Sequence, residues 1–447
     1  MSHWKLKVSG GHSNGSFPIL KVGWPSAVIL TYTVVQIVIL LVFGPTPYPD
    51  STGYFGLAKD CIEKGDWYPA VVGLNKLAFI WNTGTVNAVV FSLRLLGSVV
   101  PLLVVYSLIQ GASAWLIYEI VRSLFSERTA RIVLLLFVVY PANYGQGTSL
   151  LSECPFIFFS LLSFYFALCR RHWILAGCLL ALANWFRPMG LVMLLPLVGY
   201  ILYRRPRCFY RPVAGYLLGV CFIGGMAWWR TGHFIAQAQT GWMSLLTYSV
   251  DNNKDSEDDW LPHVLQPSDT IGNKEWRTAS LDALPVYQKD RVWRQRWMSW
   301  LKDHPSDYLK QMPVKLVDTY ATDNVNLCVF LPHKQDRSYL YEELSMRTIV
   351  HDRFHWTPVQ WITLVNLAYF YFLLLSAVVG TWILFRCRLC PSAIIPLGVI
   401  FVGTTVLLLF GHGEARFHQP FMPFIMMLSA QAFAVVSYRK HHSAQMI

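Results

Sequence analysis

The sequence predicts an all-α, polytopic membrane protein of about ten transmembrane helices, with both ends of the chain in the cytoplasm. Three observations predict it. The 447 residues are 54% hydrophobic and only 14% charged, with a mean hydropathy of +0.38, where a soluble domain carries about 25% charge. A chain this poor in charge cannot cover a globular surface and needs lipid as part of its solvent. Its apolar residues fall in long runs with charged flanks, and its basic residues are sorted to alternate flanks.

The first apolar run, Pro25 to Gly44, is long enough to span and lacks a small-residue cleavage site, so it reads as a retained helix. Further spans are expected at 95–119, 130–145, 154–169, 173–186, 188–203, 212–230, 358–385, 391–411 and 420–437. The pair 173–186 and 188–203 is short for a bilayer and is broken at Arg187-Pro188. Broken helices at membrane depth need protein or a cavity over the freed backbone.

Orientation follows from the flanks. With the N-terminus inside, the cytoplasmic segments hold Lys5, Arg122, Arg128, Arg170, Arg171, Arg204, Arg205 and Arg386, among other basic residues. Of the 25 acidic residues only Glu119 and Glu127 fall on that side. The net charge of +12 is therefore a topology signal, with no nucleic-acid footprint. The organisation read from this is a membrane core over 1–230 that includes an outer loop at 45–94, an extracytoplasmic region at 231–357, and C-terminal membrane helices at 358–447.

The large outer region reads as mixed and partly helical. Asp251 to Asp259 is acidic but lacks the glycine and closing glutamate of a calcium loop, so it reads as solvated chain. Trp293, Trp297 and Trp300 share a helical face expected to pack on the membrane surface, with a sugar platform as the other reading. Asp307 to Thr319 alternates apolar and basic residues, as a helix lying on the membrane does. Of the nine cysteines only Cys61 and Cys328 fall outside, where a bridge between them is open to them. Cys387 and Cys390 form a lone CxxC read as structural.

The first outer loop carries chemistry. Pro49 and Asp50 start an amphipathic surface helix, with Asp50 in the N-cap position. Tyr54, Ala58 and Cys61 follow on one face, and Gly65-Asp66-Trp67 closes the helix with a second carboxylate. Attack of a hydroxyl or amine on an anomeric carbon is helped by a base beside the acceptor. The alternative is that Asp50 is only a cap and Asp66 only a turn residue. Glu153 lies at the outer end of an otherwise uncharged run, as a metal ligand, an acceptor partner or a water-facing carboxylate. Arg187 fits a clamp on a donor phosphate or a buried salt bridge to Glu153. Arg416 fits a phosphate ligand, and His418 a group that orients it, touches a metal or simply lines the interface.

These motifs together resemble the C-type membrane glycosyltransferases, which take sugars from lipid-phosphate carriers. They include protein O-mannosyltransferases, the aminoarabinose transferase of lipid A and the mannosyltransferases of glycolipid anchors. Asp50 with Tyr54, Ala58 and Gly65-Asp66-Trp67 is similar to that family's first outer loop. Tyr140-Pro141 with Ser152-Glu153 resembles its "YP…SE" segment, and Ala176-Gly177 through Arg187-Pro188-Met189-Gly190 its "AG…RPxG" pair. His304-Pro305 with Tyr308, Lys315 and Leu316 resembles "HPxxY…KL". Arg416-Phe417-His418-Gln419-Pro420 resembles "RYxxPxxP", with Phe417 in place of Tyr. The two adjacent acids of the protein O-mannosyltransferases are absent, since Ser51 follows Asp50.

The resemblance implies a C-type core in which Asp50 is the catalytic base, with Asp66 and Glu153 as further acids. It implies Arg187, Arg416 and His418 around the donor phosphate, with Tyr54 touching donor or acceptor. The implied partners are a lipid-phosphate-linked sugar, a glycan, lipid or protein acceptor, and membrane lipids. A divalent cation, Mg2+ or Mn2+, is an expected cofactor. The implied location is a bacterial inner membrane with the site facing the periplasm, although a lumenal site in an endoplasmic reticulum membrane obeys the same topology. The transferred sugar, hexose or pentose, is left open. The alternative is a polymerase or ligase using diphosphate-linked oligosaccharides, for which Arg230, Arg291 and Arg294 would matter in place of Asp50. A transporter is the weaker alternative, because no repeat and almost no midplane charge is present.

Overall fold

The computed structural model describes residues 23–46, 48–68, 79, 81–251, 284–331, 344–351, 355–386, 390–411 and 413–443. The acidic run at 252–259 and Cys387 lie outside these residues. Among the described residues the fold is helical, with one isolated bridge between Thr46 and Ser149.

The chain enters through α1 (Trp24–Phe43), which buries Tyr32, Gln36 and Leu40 and exposes Leu30, Val34, Val38, Leu41 and Val42. That apolar outer face suits lipid. Two outer helices follow, α2 (Pro49–Glu63) and α3 (Thr83–Leu96). Then come α4 (Val100–Leu124), α5 (Glu127–Val139), the single turn α6 (Asn143–Gln146) and α7 (Glu153–Tyr165), which runs on as a π turn to Arg170. The short pair is α8 (Trp173–Phe186) and α9 (Gly190–Arg204), followed by α10 (Tyr210–Thr231). The segment between α10 and the C-terminal helices holds α11 (Gly241–Asp251), α12 (Val286–Asp303), α13 (Pro305–Tyr320) and α14 (Met346–His351). Helices α15 (Pro358–Arg386), α16 (Cys390–Phe410) and α17 (Met422–Ser443) complete the fold.

Six helices among the described residues are long and apolar enough to cross a membrane: Trp24–Phe43, Val100–Leu124, Glu153–Arg170, Pro206–Thr231, Pro358–Arg386 and Pro391–Phe410. Three more, α3, α8 and α9, are apolar but shorter. The expected span at 95–119 is displaced. Gly97 adopts the left-handed backbone that ends α3, and Pro101 sits in the first turn of α4. The sequence suggests a span starting at Leu95 because no charge follows Arg94 in that run, whereas Leu95 and Leu96 close α3. The short α8 packs closely on α10, because a Cβ on Gly177 or Gly215 would collide with the carbonyls of Pro212 and Ile174. Helix α17 is enclosed by the bundle, with Met422 to Gln431 buried along it.

The tryptophan face of α12 departs from its expected place. Trp293, Trp297 and Trp300 are buried in one apolar cluster with Tyr54, Ala58 and Cys61 of α2 and Val86, Val89 and Val90 of α3. Their spacing made one apolar face, and that face found protein instead of lipid. Helix α13 does present apolar residues outward, at Leu309, Val314 and Val317. Cys61 and Cys328 are not bridged. They are buried in separate clusters. Helix α12 thus shares one apolar core with α2 and α3.

Candidate active site

Helix α2 starts two residues earlier than the sequence suggests. Tyr48 takes the N-cap position, Pro49 follows it, and Asp50 lies in the first turn. Asp50 is therefore not the cap, and its carboxylate is directed to a distant partner. Arg416 donates from its guanidinium to Asp50 Oδ2 at 2.7 Å. Arg416 sits in a 3-10 turn, Ala415–Phe421, that leads into α17. Its Nε lies 2.8 Å from Glu414 Oε1 and 4.0 Å from Glu153 Oε1.

Glu153 is the first residue of α7, where the helix N-terminus favours a negative charge. It is 4% exposed. Arg187 donates to Glu153 Oε1 at 2.7 Å and to Ser152 Oγ at 3.2 Å. Pro188 disfavours helical backbone at Arg187, which is extended and ends α8. That turn directs the guanidinium inward. The salt-bridge reading of Arg187 is thus the one seen here. Arg187 and Arg416 both lie over the Phe417 ring, with centroid distances of 5.0 and 5.8 Å.

Four of the seven residues singled out in the sequence therefore meet: Asp50, Glu153, Arg187 and Arg416. Three carboxylates, counting Glu414, face two guanidiniums. Burial alone would lower the Arg416 guanidinium, but Glu414, Glu153 and Asp50 together raise it well above its ordinary range. Tyr54, one helical turn after Asp50, is buried, accepts from Asn82 Nδ2 at 3.3 Å and packs edge-on to Trp81. Burial, followed by the charges of Asp50 and Glu153, pushes its phenol well above the usual range. It is a neutral hydroxyl at the edge of the cluster.

Asp66 and His418 go elsewhere. The Asp66 carboxylate pairs with Arg230 at the end of α10 and accepts from the Trp67 amide at 2.6 Å. Its backbone carbonyl accepts from Arg94 at 2.8 Å, and Arg94 stacks on Trp67. His418 is fully buried beneath the turn, with Nε2 3.1 Å from Asp323 Oδ1. It contacts protein groups at both ring nitrogens. Asp323 and Glu414 were not singled out in the sequence. Asp323 follows α13 in a polar stretch without any local mark, and Glu414 was visible only as a neighbour of Arg416.

Beside this cluster lies an apolar cavity of about 500 Å3 between α3, α8 and α10. Trp67, Phe91, Leu182, Trp185, Leu218 and Phe222 are among its walls. Trp185, in its wall, stands two residues before Arg187. Among the described residues no three His, Cys, Asp or Glu side chains gather as metal ligands.

Residues 88–229 match the model of a family described as dolichyl-phosphate-mannose-protein mannosyltransferase. That segment contains Glu153 and Arg187 and leaves Asp50 and Arg416 outside. No curated protein matches the chain. Among solved structures, the archaeal oligosaccharyltransferase AglB from Archaeoglobus fulgidus, in complex with an inhibitory peptide and a dolichol-phosphate, is 10% identical with a TM-score of 0.45. The alignment covers 96% of this chain and 52% of AglB, so the chain spans about half the length of that protein. ArnT from Cupriavidus metallidurans bound to undecaprenyl phosphate is 15% identical with a TM-score of 0.38, over 90% of this chain and 78% of ArnT. The family match over 88–229 bears out the resemblance of this integral membrane chain to the C-type membrane glycosyltransferases.

Proposed function

We propose that this protein transfers a sugar from a polyprenyl-phosphate donor to a glycan, lipid or protein acceptor at the extracytoplasmic edge of the membrane. The observation that carries the reading is the Asp50–Arg416 pair at 2.7 Å, set against the buried pair of Glu153 and Arg187. A carboxylate base beside a cation suits a reaction that removes one proton and releases one anionic phosphate.

In this reading the polyprenyl chain lies in the cavity between α3, α8 and α10, among Trp185, Leu218 and Phe222. The donor phosphate competes with Asp50 and Glu414 for Arg416. Asp50, released from its partner, accepts the proton of the acceptor hydroxyl or amine. The acceptor atom bonds to the anomeric carbon as the bond from that carbon to the phosphate oxygen breaks. The electron pair leaves on the phosphate, where Arg416 meets the growing charge. Arg187 holds Glu153 in place and offers the phosphate a second cation. Attack from the face opposite the leaving group inverts the anomeric centre.

A requirement for Mg2+ or Mn2+ is a proposal from phosphate chemistry alone, checked by comparing turnover in EDTA with turnover in added Mn2+. The central test is a transfer assay with purified protein and polyprenyl-phosphate sugars. Release of polyprenyl phosphate by wild type and its loss in Asp50→Asn is the expected result. Equal release by both would remove Asp50 from the role of base. The absence of release with every donor would remove the reaction class. A periplasm-facing site in a bacterial inner membrane is part of the proposal, and labelling of a cysteine placed at Thr52 from the outer side checks it.

A further inference from the structure

Asp323 and His418 lie outside the reacting cluster, yet they form the most completely bonded polar centre near it. Asp323 is buried, and its two carboxylate oxygens accept four donors from three separate elements. Oδ1 accepts from Gln419 and faces His418 Nε2 at 3.1 Å. Oδ2 accepts from the Tyr140 hydroxyl at the end of α5 and from Asn366 of α15 at 3.1 Å. Asn366 Oδ1 in turn accepts from the Ala142 amide at 3.0 Å. Gln419 Oε1 accepts from Gln146 at 2.7 Å, and Gln146 Oε1 accepts from Gln110 at 2.6 Å.

The histidine fixes the proton count. Its Nδ1 is 2.6 Å from the Thr319 carbonyl, which can only accept, so Nδ1 carries a proton. Its Nε2 faces a carboxylate oxygen, so a second proton lies on that line. The ring is also packed between Tyr320 and Phe370, with no room to turn to another partner. The donors gathered on both Asp323 oxygens favour the ionised carboxylate, which leaves both protons on the ring and makes the pair neutral overall.

We infer that His418 and Asp323 form a buried imidazolium–carboxylate pair that positions Arg416, by pinning the turn Ala415–Phe421 to α5, α13 and α15. His418 is then a positioning residue that acts through Arg416 and does not touch the donor phosphate. The inference rests on the proposed function for the role of Arg416 and on geometry alone for the pair.

Three readouts test it on the full-length detergent-solubilised protein. In 15N spectra of histidine-labelled protein, the signals absent from His418→Gln are expected to be those of a ring protonated on both nitrogens. Signals of a neutral tautomer would overturn the pair. By hydrogen exchange, Asp323→Asn and His418→Gln are each expected to speed exchange in the peptide covering 413–421, and the double variant to restore part of the protection by removing both charges. Unchanged exchange in both single variants would overturn the positioning role. In transfer assays each single variant is expected to raise the KM for the polyprenyl-phosphate donor at least tenfold with a smaller change in kcat, and an unchanged KM would overturn the link to Arg416. If wild type transfers no sugar, the proposed function fails, while the first two readouts still decide the pair.

Discussion

Asp50 and Asp66 stand at the two ends of the same 15-residue helix and its closing turn, yet they are put to different uses. Asp66 is tied by neighbours that end helices: Arg94 at the end of α3 and Arg230 at the end of α10. Its other bonds go to the amides of Trp67 and Tyr68. Each contact fixes the exit of the chain from α2. Asp50 meets Arg416, which Glu153 and Glu414 also approach, so it shares its cation with two other acids. A carboxylate with a private partner is a brace. A carboxylate that shares its partner can be released when a competing anion arrives. The difference teaches that position on the helix says little about role, and that the number of claims on the partner says more.

That contrast can be broken most forcefully by activity. Asp50→Asn should lower transfer by on the order of 10²–10⁴-fold, the usual contribution of a positioned base, with the unfolding midpoint near wild type. Asp66→Asn should cost less than roughly tenfold. A larger loss for Asp66→Asn than for Asp50→Asn, measured as polyprenyl phosphate released, would reverse the comparison.

Stability sharpens it next. Glu153→Gln leaves the Arg187 guanidinium buried without a charged partner, a change that costs about 3–5 kcal/mol for buried pairs. The double variant Glu153→Gln/Arg187→Met should recover much of that loss, and a thermal unfolding cycle measures the recovery. Additive losses would mean that the two residues are not a pair.

A pH profile probes the support behind the Arg416 turn. Lys315 is buried, donates to the Leu408 carbonyl at 3.3 Å, and lies against the Tyr308 ring. Burial lowers its ammonium to about 8. Between about pH 8 and the ordinary lysine value, the unfolded chain holds a proton that the folded chain has given up. Stability from this residue should therefore rise with pH across that window and show no slope below it. Lys315→Met should flatten that rise, by up to about 3 kcal/mol between the two limits. An equal slope in the variant would sink the assignment. The smallest effect is expected for Arg230→Gln, whose partly exposed pair with Asp66 should be worth about 1 kcal/mol or less in unfolding experiments.

The membrane architecture was legible because lipid demands long uncharged runs, and α1, α10, α15 and α16 supply them. The break between α3 and α4 was harder to read, since Gly97 ends a helix without ending the apolar run. At the site, Asp50, Glu153, Arg187 and Arg416 each carried a local anomaly: an acid at a helix start, or a charge beside a membrane run. Asp323 carried none. Its meaning comes from Tyr140, Asn366 and His418, which lie 183, 43 and 95 residues away, and no window on the sequence contains them together. The tryptophans of α12 show the opposite limit. Their shared face was plain in the sequence, but whether lipid or protein would cover it depended on where α2 and α3 were folded.

Asp50 and Arg416 are 366 residues apart. During synthesis, Asp50 is made long before Arg416 and the helix that follows it. Until the turn that leads into α17 is in place, Asp50 lacks its Arg416 partner. A partly made chain therefore holds the apolar walls between α3, α8 and α10 before the charged cluster can assemble, and the proposed activity would have to wait for the last helix.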